Sequence, residues 1–205
     1  SVTIPEDSDG HIDLAQLERE LIAHTDRELK IGSFSAASNV TGIISNTCAI
    51  ADMLHDHGAL SFWDFAAAGP YVDIEMYPQC PEHPQAFKDA VFLSPHKFVG
   101  GPGTPGVLVA RRALLHNRVP DVVGGGTVAY VNPTEHRFLD DPIHREEGGT
   151  PAIVEAIRAG LVFQLKQAVG VATIKEREES YWHRAVDAWS ANPALQVLGN
   201  TRSDR

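Results

Sequence analysis

The stretch "FLSPHKFVGGPGTPGVLVARR", residues 92–112, is the most informative part of the sequence for the fold. The apolar run "DAVFLSP" leads into Lys97, and a loop rich in glycine and proline separates that lysine from a second apolar run, "GVLVARR". The two runs predict neighbouring β-strands. Because the loop between them is too short to hold a crossover helix, we expect this pair of strands to be antiparallel.

Helix-like and strand-like segments alternate along the rest of the chain. Apolar periodicity predicts helices over residues 13–24, 42–58, 151–169 and 171–190. Asp13 is the expected cap of the first helix, and Gly58 is the expected end of the second. Strands are predicted in "KIGSFSAAS" and in "ALSFWDF", residues 59–65. This alternation is typical of an α/β fold with a mostly parallel sheet flanked by helices.

Composition excludes several classes of protein. The chain has 205 residues, of which 43% are hydrophobic, so it can bury a sizeable core. A net charge of −10 argues against a nucleic-acid or anionic-membrane surface, and no apolar run is long enough to cross a bilayer. We therefore expect a cytoplasmic protein without nucleic-acid or membrane partners. The two cysteines do not predict a disulfide framework, and Cys48 is expected to be a small core residue.

Two other motifs are interpreted as structural. The "HDH" at residues 55–57 would suggest a metal site, but histidines two apart on a helix point to different faces, and no third ligand stands out. We predict a solvated helix end and no metal site. The glycine triplet at residues 124–126 lacks the lysine and helix of a phosphate-binding loop, so no nucleotide site is predicted there.

Polar residues follow three of the predicted strands. They are Ser38, Asn39, Asp64, Ser94, His96 and Lys97. If the strands run parallel, these side chains can face one crevice at the carboxyl ends of the strands. An amine, a carboxylate, hydroxyls and an imidazole suit pyridoxal phosphate (PLP), because Lys97 can form the Schiff base and Asp64 can partner the pyridine nitrogen. We expect both groups to be buried in a dry site.

The same segments resemble a known family. "SPHKFVGGPGTPGVLV" resembles the lysine segment of the class V aminotransferases, which are fold-type I PLP enzymes and include cysteine desulfurases and selenocysteine lyases. "SNVTG", residues 38–42, is similar to the family's Ser-Asn-x-x-Gly turn, and "WDFAAAGPYVDI" to its aspartate-bearing strand. "EEGGTP", residues 146–151, is similar to its Glu-x-Gly-Thr-Pro. The resemblance covers nearly all of residues 1–200 and implies the large domain of a PLP-dependent transferase.

The resemblance also implies a role for each matching residue. Lys97 would be the Schiff-base lysine and general base, and Asp64 would hold the pyridine nitrogen. Ser94 and His96 would contact the phosphate. Asn39 would lie on the side of the ring that carries the hydroxyl group.

Two further residues implied by the resemblance concern a second subunit. Gly149 and Thr150 would reach the phosphate of a neighbouring subunit, so a homodimer would be part of the active site. The implied substrate is an amino acid, with removal of sulfur or selenium as the first expectation. Transamination, decarboxylation and a kynureninase-like cleavage stay open, as does a non-catalytic relative that serves as an interaction platform.

The chain also departs from the family pattern. Ala67 stands where the family commonly has a glutamine that touches the ring oxygen, which favours the non-catalytic alternative. The family's upstream histidine segment, its phosphate loop and its downstream small domain have no counterpart in this chain. We therefore expect the middle of a longer enzyme, inactive by itself. Residues 1–190 would be a large domain incomplete at its N-terminal side, and residues 191–205 would begin the small domain.

Overall fold

A four-stranded sheet forms the centre of the molecule in the computed structural model, which describes residues 1–202. Its strands, in spatial order, are β1 Ile31–Ser35, β2 Leu60–Asp64, β3 Ala90–Leu93 and β4 Val107–Ala110. β1, β2 and β3 run parallel, whereas β3 and β4 are antiparallel. Both the mostly parallel sheet and the antiparallel pair predicted from the two apolar runs are confirmed.

Five α-helices accompany the sheet in the described residues. They are α1 Leu14–Ala23, α2 Thr47–Asp56, α3 Pro142–Glu146, α4 Ile153–Val169 and α5 Val171–Ser190. The Asp13 carboxylate caps α1 by accepting the N–H of Gln16 at 2.9 Å, as expected. No helix of the described chain has the length and apolar character that crossing a bilayer requires.

The second helix begins later than predicted, at Thr47 rather than at residue 42. After β1 the chain first forms a narrow turn, in which Ala37 and Ile44 make an isolated bridge. The Ser45 N–H then donates to the carbonyl of Ala36 at 2.9 Å. These backbone bonds compete with a helix over the same residues, and Asn46 caps the helix that follows.

The core lies between the sheet and the first two helices. Leu17 and Leu21 of α1 and Ile50 and Leu54 of α2 pack against Trp63, which is fully buried. Each such side chain stabilises the fold by about 1.5–3 kcal/mol through burial of apolar surface. Helices α1 and α2 are therefore held against the sheet by this apolar cluster.

A second, two-stranded sheet was not predicted. It pairs β5 Val128–Val131 with β6 His136–Phe138, and the turn between them is closed by the Asn132 side chain, which accepts the N–H of Glu135 at 2.6 Å. The two strands are short and mostly exposed. They therefore lack the alternation of apolar and polar residues by which a half-buried strand is identified in a sequence.

The cysteines differ from expectation. Cys48 and Cys80 form a disulfide with their Cα atoms 6.5 Å apart, so Cys48 is more than a small core residue. The bridge ties the first turn of α2 to the long loop between β2 and β3. A search for a framework of many cysteines overlooks a single bridge between residues 32 positions apart.

The histidine motif of α2 also needs correction. His55 is not part of a solvated helix end, since its side chain is 8% exposed and its Nε2 lies 2.9 Å from Oδ2 of Asp89. The loop before β3 folds back over the helix, and the ring of Phe87 stacks on His55 with centroids 3.8 Å apart. Within residues 1–202 no group of three or more metal-ligating side chains comes together.

Candidate active site

The carboxyl ends of the three parallel strands meet at one edge of the sheet. The register pairs Ser35 of β1 with Asp64 of β2, and Asp64 with Phe92 of β3. Asn39 therefore lies just beyond the end of β1, Asp64 ends β2, and Lys97 follows β3. Polar residues taken from three separated segments share the edge at which open α/β sheets bind ligands.

Backbone bonds to both neighbouring strands fix the position of Asp64. Its carbonyl accepts the N–H of Ala36 at 2.8 Å, and the next N–H, of Phe65, donates to the carbonyl of Phe92 at 2.9 Å. One carboxylate oxygen, Oδ1, accepts the N–H of Ala66 at 2.7 Å. In the described part of the chain no hydrogen bond reaches the other oxygen, so it can accept one from a ligand.

A single turn of 3-10 helix, Pro95–Lys97, presents the lysine. The Lys97 N–H donates to the carbonyl of Ser94 at 2.9 Å, and the flanking Pro95 and Phe98 are buried, whereas His96 and Lys97 are exposed. Among residues 1–202, no hydrogen bond or ion pair engages the side chains of Ser94, His96 or Lys97. The amine, imidazole and hydroxyl are thus available to a ligand.

The glycines after Lys97 allow the loop to pack against that turn. A Cβ on Gly101 would lie 1.9 Å from the carbonyl oxygen of Pro95, a distance that no side chain tolerates. The Gly101 N–H donates to the carbonyl of Phe98 at 2.9 Å. The loop therefore folds back against the segment that carries Lys97 before β4 begins, and only glycine fits at the closest approach.

Asn39 lies in a tight turn after β1. The Ser38 hydroxyl accepts the N–H groups of Val40 and Thr41, each at 3.2 Å, and the Asn39 side chain is exposed. Capping of the next helix, the structural alternative for Asn39, is performed by Asn46 instead. The side chain of Asn39 has no hydrogen bond in the described part of the chain, so its role toward the cofactor stays a prediction.

Gly149 and Thr150 lie elsewhere, in the exposed segment between α3 and α4. Gly149 has φ +91° and donates its N–H to the carbonyl of Gly125 at 2.8 Å. The glycine triplet at residues 124–126 therefore packs against this segment. No hydrogen bond between described residues joins Gly149 or Thr150 to the residues at the strand ends, Asn39, Asp64 and Lys97. The contact of Gly149 and Thr150 with a neighbouring subunit's phosphate stays a prediction.

The expectation of a dry site stays a prediction for the complete protein. Within residues 1–202, Asp64 and Lys97 are both exposed. Burial is expected from the chemistry that these residues would perform. The observed positions follow instead from strand ends, which place side chains at the rim of a sheet.

Two basic residues of α4 that support the site were missed. The half-buried Lys166 donates from Nζ to the carbonyls of Gly69, at 2.7 Å, and Val72, and burial lowers the pKa of Lys166 although the charge of Asp73 opposes the shift. Arg158 donates to the carbonyl of Pro102 at 2.9 Å. A charged residue on an amphipathic helix is normally interpreted as solvated, and no sequence signal marks a distant carbonyl as its partner.

These groups fit PLP by their chemistry. Within residues 1–202, a lysine amine without a partner and a free carboxylate oxygen lie at the ends of neighbouring parallel strands, with a hydroxyl and an imidazole beside the amine. This combination can hold an aldehyde, a pyridine nitrogen and a phosphate. Fold and site together define an α/β protein of the PLP-binding type.

The comparison with protein families agrees with this class. The model of the family Aminotransferase class-V matches residues 2–205, and the chain therefore belongs to that family. Pyridoxal phosphate is the cofactor of the family.

Over the aligned regions, curated relatives are identical to the chain at more than a quarter of the positions. A protein of Halalkalibacterium halodurans named "Probable cysteine desulfurase" is 29% identical over 196 residues, which are 96% of this chain and 45% of the relative. A protein of Streptomyces coelicolor with the same name is 27% identical over 197 residues, 96% of this chain and 44% of the relative. The chain thus spans less than half the length of these relatives.

Solved structures show the same fold. The cysteine desulfurase CsdA from Escherichia coli superposes with a TM-score of 0.79 at 23% identity, over 94% of this chain and 45% of that one. The apo cysteine desulfurase from Thermococcus onnurineus NA1 gives a TM-score of 0.73 at 23% identity, over 92% of this chain and 45% of that one. The architecture is therefore that of fold-type I PLP enzymes.

Proposed function

We propose that the complete protein containing this chain is a PLP-dependent enzyme that removes sulfur from cysteine or selenium from selenocysteine. One observation carries the proposal: the Lys97 amine and the free oxygen of Asp64 lie at the same edge of a parallel sheet, in a chain of the class V family. Relatives named as probable cysteine desulfurases favour this reaction over transamination, decarboxylation or a kynureninase-like cleavage.

The chain's own residues have separate tasks in this proposal. Lys97 would hold the cofactor covalently and then move a proton at the α-carbon of the substrate. The free oxygen of Asp64 would accept the pyridine N–H, a charge-assisted bond that keeps that nitrogen protonated. Ser94 and His96 would hold the phosphate, and Asn39 would lie beside the ring hydroxyl. When bound, the cofactor supplies an electron-accepting ring as a bond at the substrate α-carbon breaks.

We also propose that the complete protein is a homodimer, with Gly149 and Thr150 directed to the phosphate of the other subunit. Both residues are exposed, and the Thr150 hydroxyl makes no hydrogen bond within residues 1–202. Exposed apolar side chains on the helix that follows, Ile157 and Leu161, offer surface for such an association. Sedimentation of the complete protein tests this, and a monomer that retains full activity would contradict it.

The proposed domain boundary follows the end of α5. Residues 1–190 would form the PLP-binding large domain, and residues 191–205 would begin a smaller one. The last helix ends at Ser190, and the chain is irregular from there to residue 202, which supports the boundary. The final residues of the proposed small-domain start, 203–205, lie outside the described part.

A cytoplasmic location without nucleic-acid or membrane partners completes the proposal. The net charge of −10 supports it, because nucleic acids and anionic lipids attract basic surfaces. The Cys48–Cys80 disulfide is the observation that argues the other way, since disulfides are rare in the cytosol. Fractionation of cells that express the complete protein decides the matter.

Product analysis tests the reaction. The complete protein is incubated with PLP, L-cysteine and excess dithiothreitol, a thiol reductant that converts the released sulfur to sulfide, and alanine and sulfide are measured together with any keto acid. We expect alanine and sulfide in equal amounts, and none with Lys97→Ala. Keto acid as the main product would instead indicate transamination. A protein that fails to bind PLP would favour the non-catalytic alternative, for which Ala67 is the supporting feature.

A further inference from the structure

Helix α4 contacts the segments that follow both Asp64 and Lys97. Its residue Lys166 donates from Nζ to the carbonyl oxygen of Gly69, at 2.7 Å, and to that of Val72. These carbonyls belong to the loop that leaves β2 immediately after Asp64. Within residues 1–202 neither carbonyl accepts another hydrogen bond, so Lys166 alone satisfies them.

The same ammonium group also lies over an aromatic ring beside the lysine turn. Nζ of Lys166 is 5.7 Å from the ring centroid of Phe98, the residue after Lys97. Phe98 is 4% exposed and packs edge-on against Phe163, one turn before Lys166 on α4, with centroids 5.1 Å apart. One face of α4 therefore contacts both the loop after Asp64 and the turn that carries Lys97.

The loop and the ring are also in direct contact. A Cβ on Gly69 would lie 2.6 Å from the carbonyl oxygen of Phe65 and 3.2 Å from the Phe98 ring. The Gly69 N–H donates to that Phe65 carbonyl at 2.7 Å. A shift of the loop that follows Asp64 would therefore be transmitted to the residue next to Lys97.

We propose that Lys166 is a positioning residue for the cofactor site. Its ammonium group holds the loop after Asp64 against the turn that carries Lys97, and so sets the separation of the carboxylate and the amine that bind opposite ends of the PLP ring. The inference rests on the proposed function of those two residues. Its physical basis is that charge-assisted bonds to two carbonyls are strong and directional, and that reactive groups tolerate little misplacement.

The test replaces Lys166 by methionine in the complete protein. Lys166→Met keeps an unbranched side chain of similar length but removes the ammonium group and its three donors. Lys175→Met is the matched control, because Lys175 lies on α5 with a side chain 72% exposed and forms a surface ion pair with Glu179 at 3.8 Å. Lys166→Arg restores donors and is the rescue variant. The readouts are the PLP dissociation constant, the circular dichroism of bound PLP and amide exchange of residues 65–72 and 94–104 in the apo protein.

We expect Lys166→Met to weaken PLP binding about tenfold, the factor for loss of one buried hydrogen bond. Its circular dichroism per bound PLP should change, and amide exchange should accelerate in the two segments. The arginine variant should recover part of each effect, and Lys175→Met should match the wild type.

Unchanged PLP affinity and unchanged exchange in Lys166→Met would overturn the inference. If the wild type itself binds no PLP, the proposed function fails, and apo exchange still decides whether Lys166 holds the two segments. If Lys166→Met does not fold, Lys166→Gln, which keeps one amide donor group, takes its place. Loss of the whole fold in both variants would also overturn the inference, because Lys166 would then support the domain rather than the site.

Discussion

Lys88 is a buried lysine whose ammonium group has no hydrogen-bond partner among the described residues. Its side chain is 2% exposed, and its ammonium group lies 6.0 Å from the ring centroid of Phe65. Burial lowers the pKa of Lys88, and the charge of Glu75 opposes the shift only in part. The charged form is therefore less favourable in the folded chain than in the unfolded one.

Removing this charge should stabilise the protein. Lys88→Met keeps the volume of the side chain, and we expect the free energy of unfolding to rise by about 1 kcal/mol at pH 7. The reason is that folding of the variant no longer buries a poorly paired ammonium group. Since the folded-state pKa lies below the unfolded value, the wild type gains stability as pH rises between the two. The advantage of the variant should therefore shrink toward pH 10. Urea unfolding at both pH values measures this, and a destabilised variant at pH 7 would contradict it.

The carboxylate of Asp64 should matter for the cofactor and not for the fold. Asp64→Asn replaces the free oxygen by a group that cannot stabilise a protonated pyridine, and we expect PLP affinity to fall tenfold or more, roughly the 1.5–3 kcal/mol of a hydrogen bond to a charged group. Asp26→Asn is the control, because Asp26 is exposed and its carboxylate forms a surface ion pair with Arg27 at 3.8 Å. PLP titration of the complete protein measures both variants, and equal affinities would remove Asp64 from the proposed site.

At the scale of elements, a buried carboxylate ties α2 to three strands at the end of the sheet opposite the candidate site. Asp89 accepts hydrogen bonds from His55 at 2.9 Å, from the N–H of Ser61 at 2.8 Å and from Arg111 at 2.9 Å. Burial alone would raise the pKa of Asp89, but these hydrogen bonds outweigh it and hold that pKa below its usual value. The ionised form is thus a structural requirement of the fold.

Asp89→Asn should be strongly destabilising at neutral pH. The amide removes the charge from buried donors, and loss of one partner of a buried pair costs about 3 kcal/mol. Because the folded-state pKa of Asp89 is depressed, its stabilisation is complete above the unfolded value of about 3.9 and is lost as pH falls through the folded-state pKa. The difference between variant and wild type should therefore narrow below about pH 4. Denaturant unfolding across this range tests the account, and a pH-independent difference would contradict it.

The disulfide is a second link between elements. It joins α2 to the loop between β2 and β3, which polar contacts also hold, since Gln85 donates to Asp52 at 2.7 Å and to Asp56 at 2.6 Å. Constraining a segment of 32 residues should stabilise the fold by about 3.7 kcal/mol in the chain-entropy model. A Cys48→Ser, Cys80→Ser variant compared with the oxidised wild type measures this. Two reactive thiols in the oxidised native protein would show that the bridge is not formed.

Local patterns predicted most elements, and long-range partners explain the failures. The Asp13 cap, the strands around Trp63 and the paired runs on either side of Lys97 depend on neighbouring residues, so the sequence alone was sufficient. The delayed start of α2 depends on a bridge between Ala37 and Ile44, which competes with the helix. Backbone pairing of that kind leaves no trace in apolar periodicity.

Part of the candidate site was likewise predictable from the sequence, and part was not. The grouping of Asn39, Asp64 and Lys97 was predictable, because parallel strands bring their carboxyl ends to one edge of the sheet whatever their separation in the chain. The bonds from Lys166 to Gly69 and Val72 were not, since they join residues 97 and 94 positions apart through backbone carbonyls, which every residue possesses. The exposure of Lys97 could not be predicted either, because it depends on which elements pack over the edge.

At the scale of the whole molecule, an apolar stripe remains on the outer face of α4. Ile157, Leu161 and Leu165 are spaced four residues apart and are all exposed. The chain also covers only 45% of a curated relative to which it aligns along 96% of its own length. The exposed stripe offers surface for the association that the proposed dimer requires.

The most direct test of the account is the position at which PLP attaches. The complete protein is mixed with PLP, reduced with borohydride and digested, and the modified peptide is identified by mass spectrometry. The account predicts a pyridoxyl group on Lys97, and none on Lys30, Lys88, Lys166 or Lys175. A label on one of those other lysines, or no label at all, would contradict it.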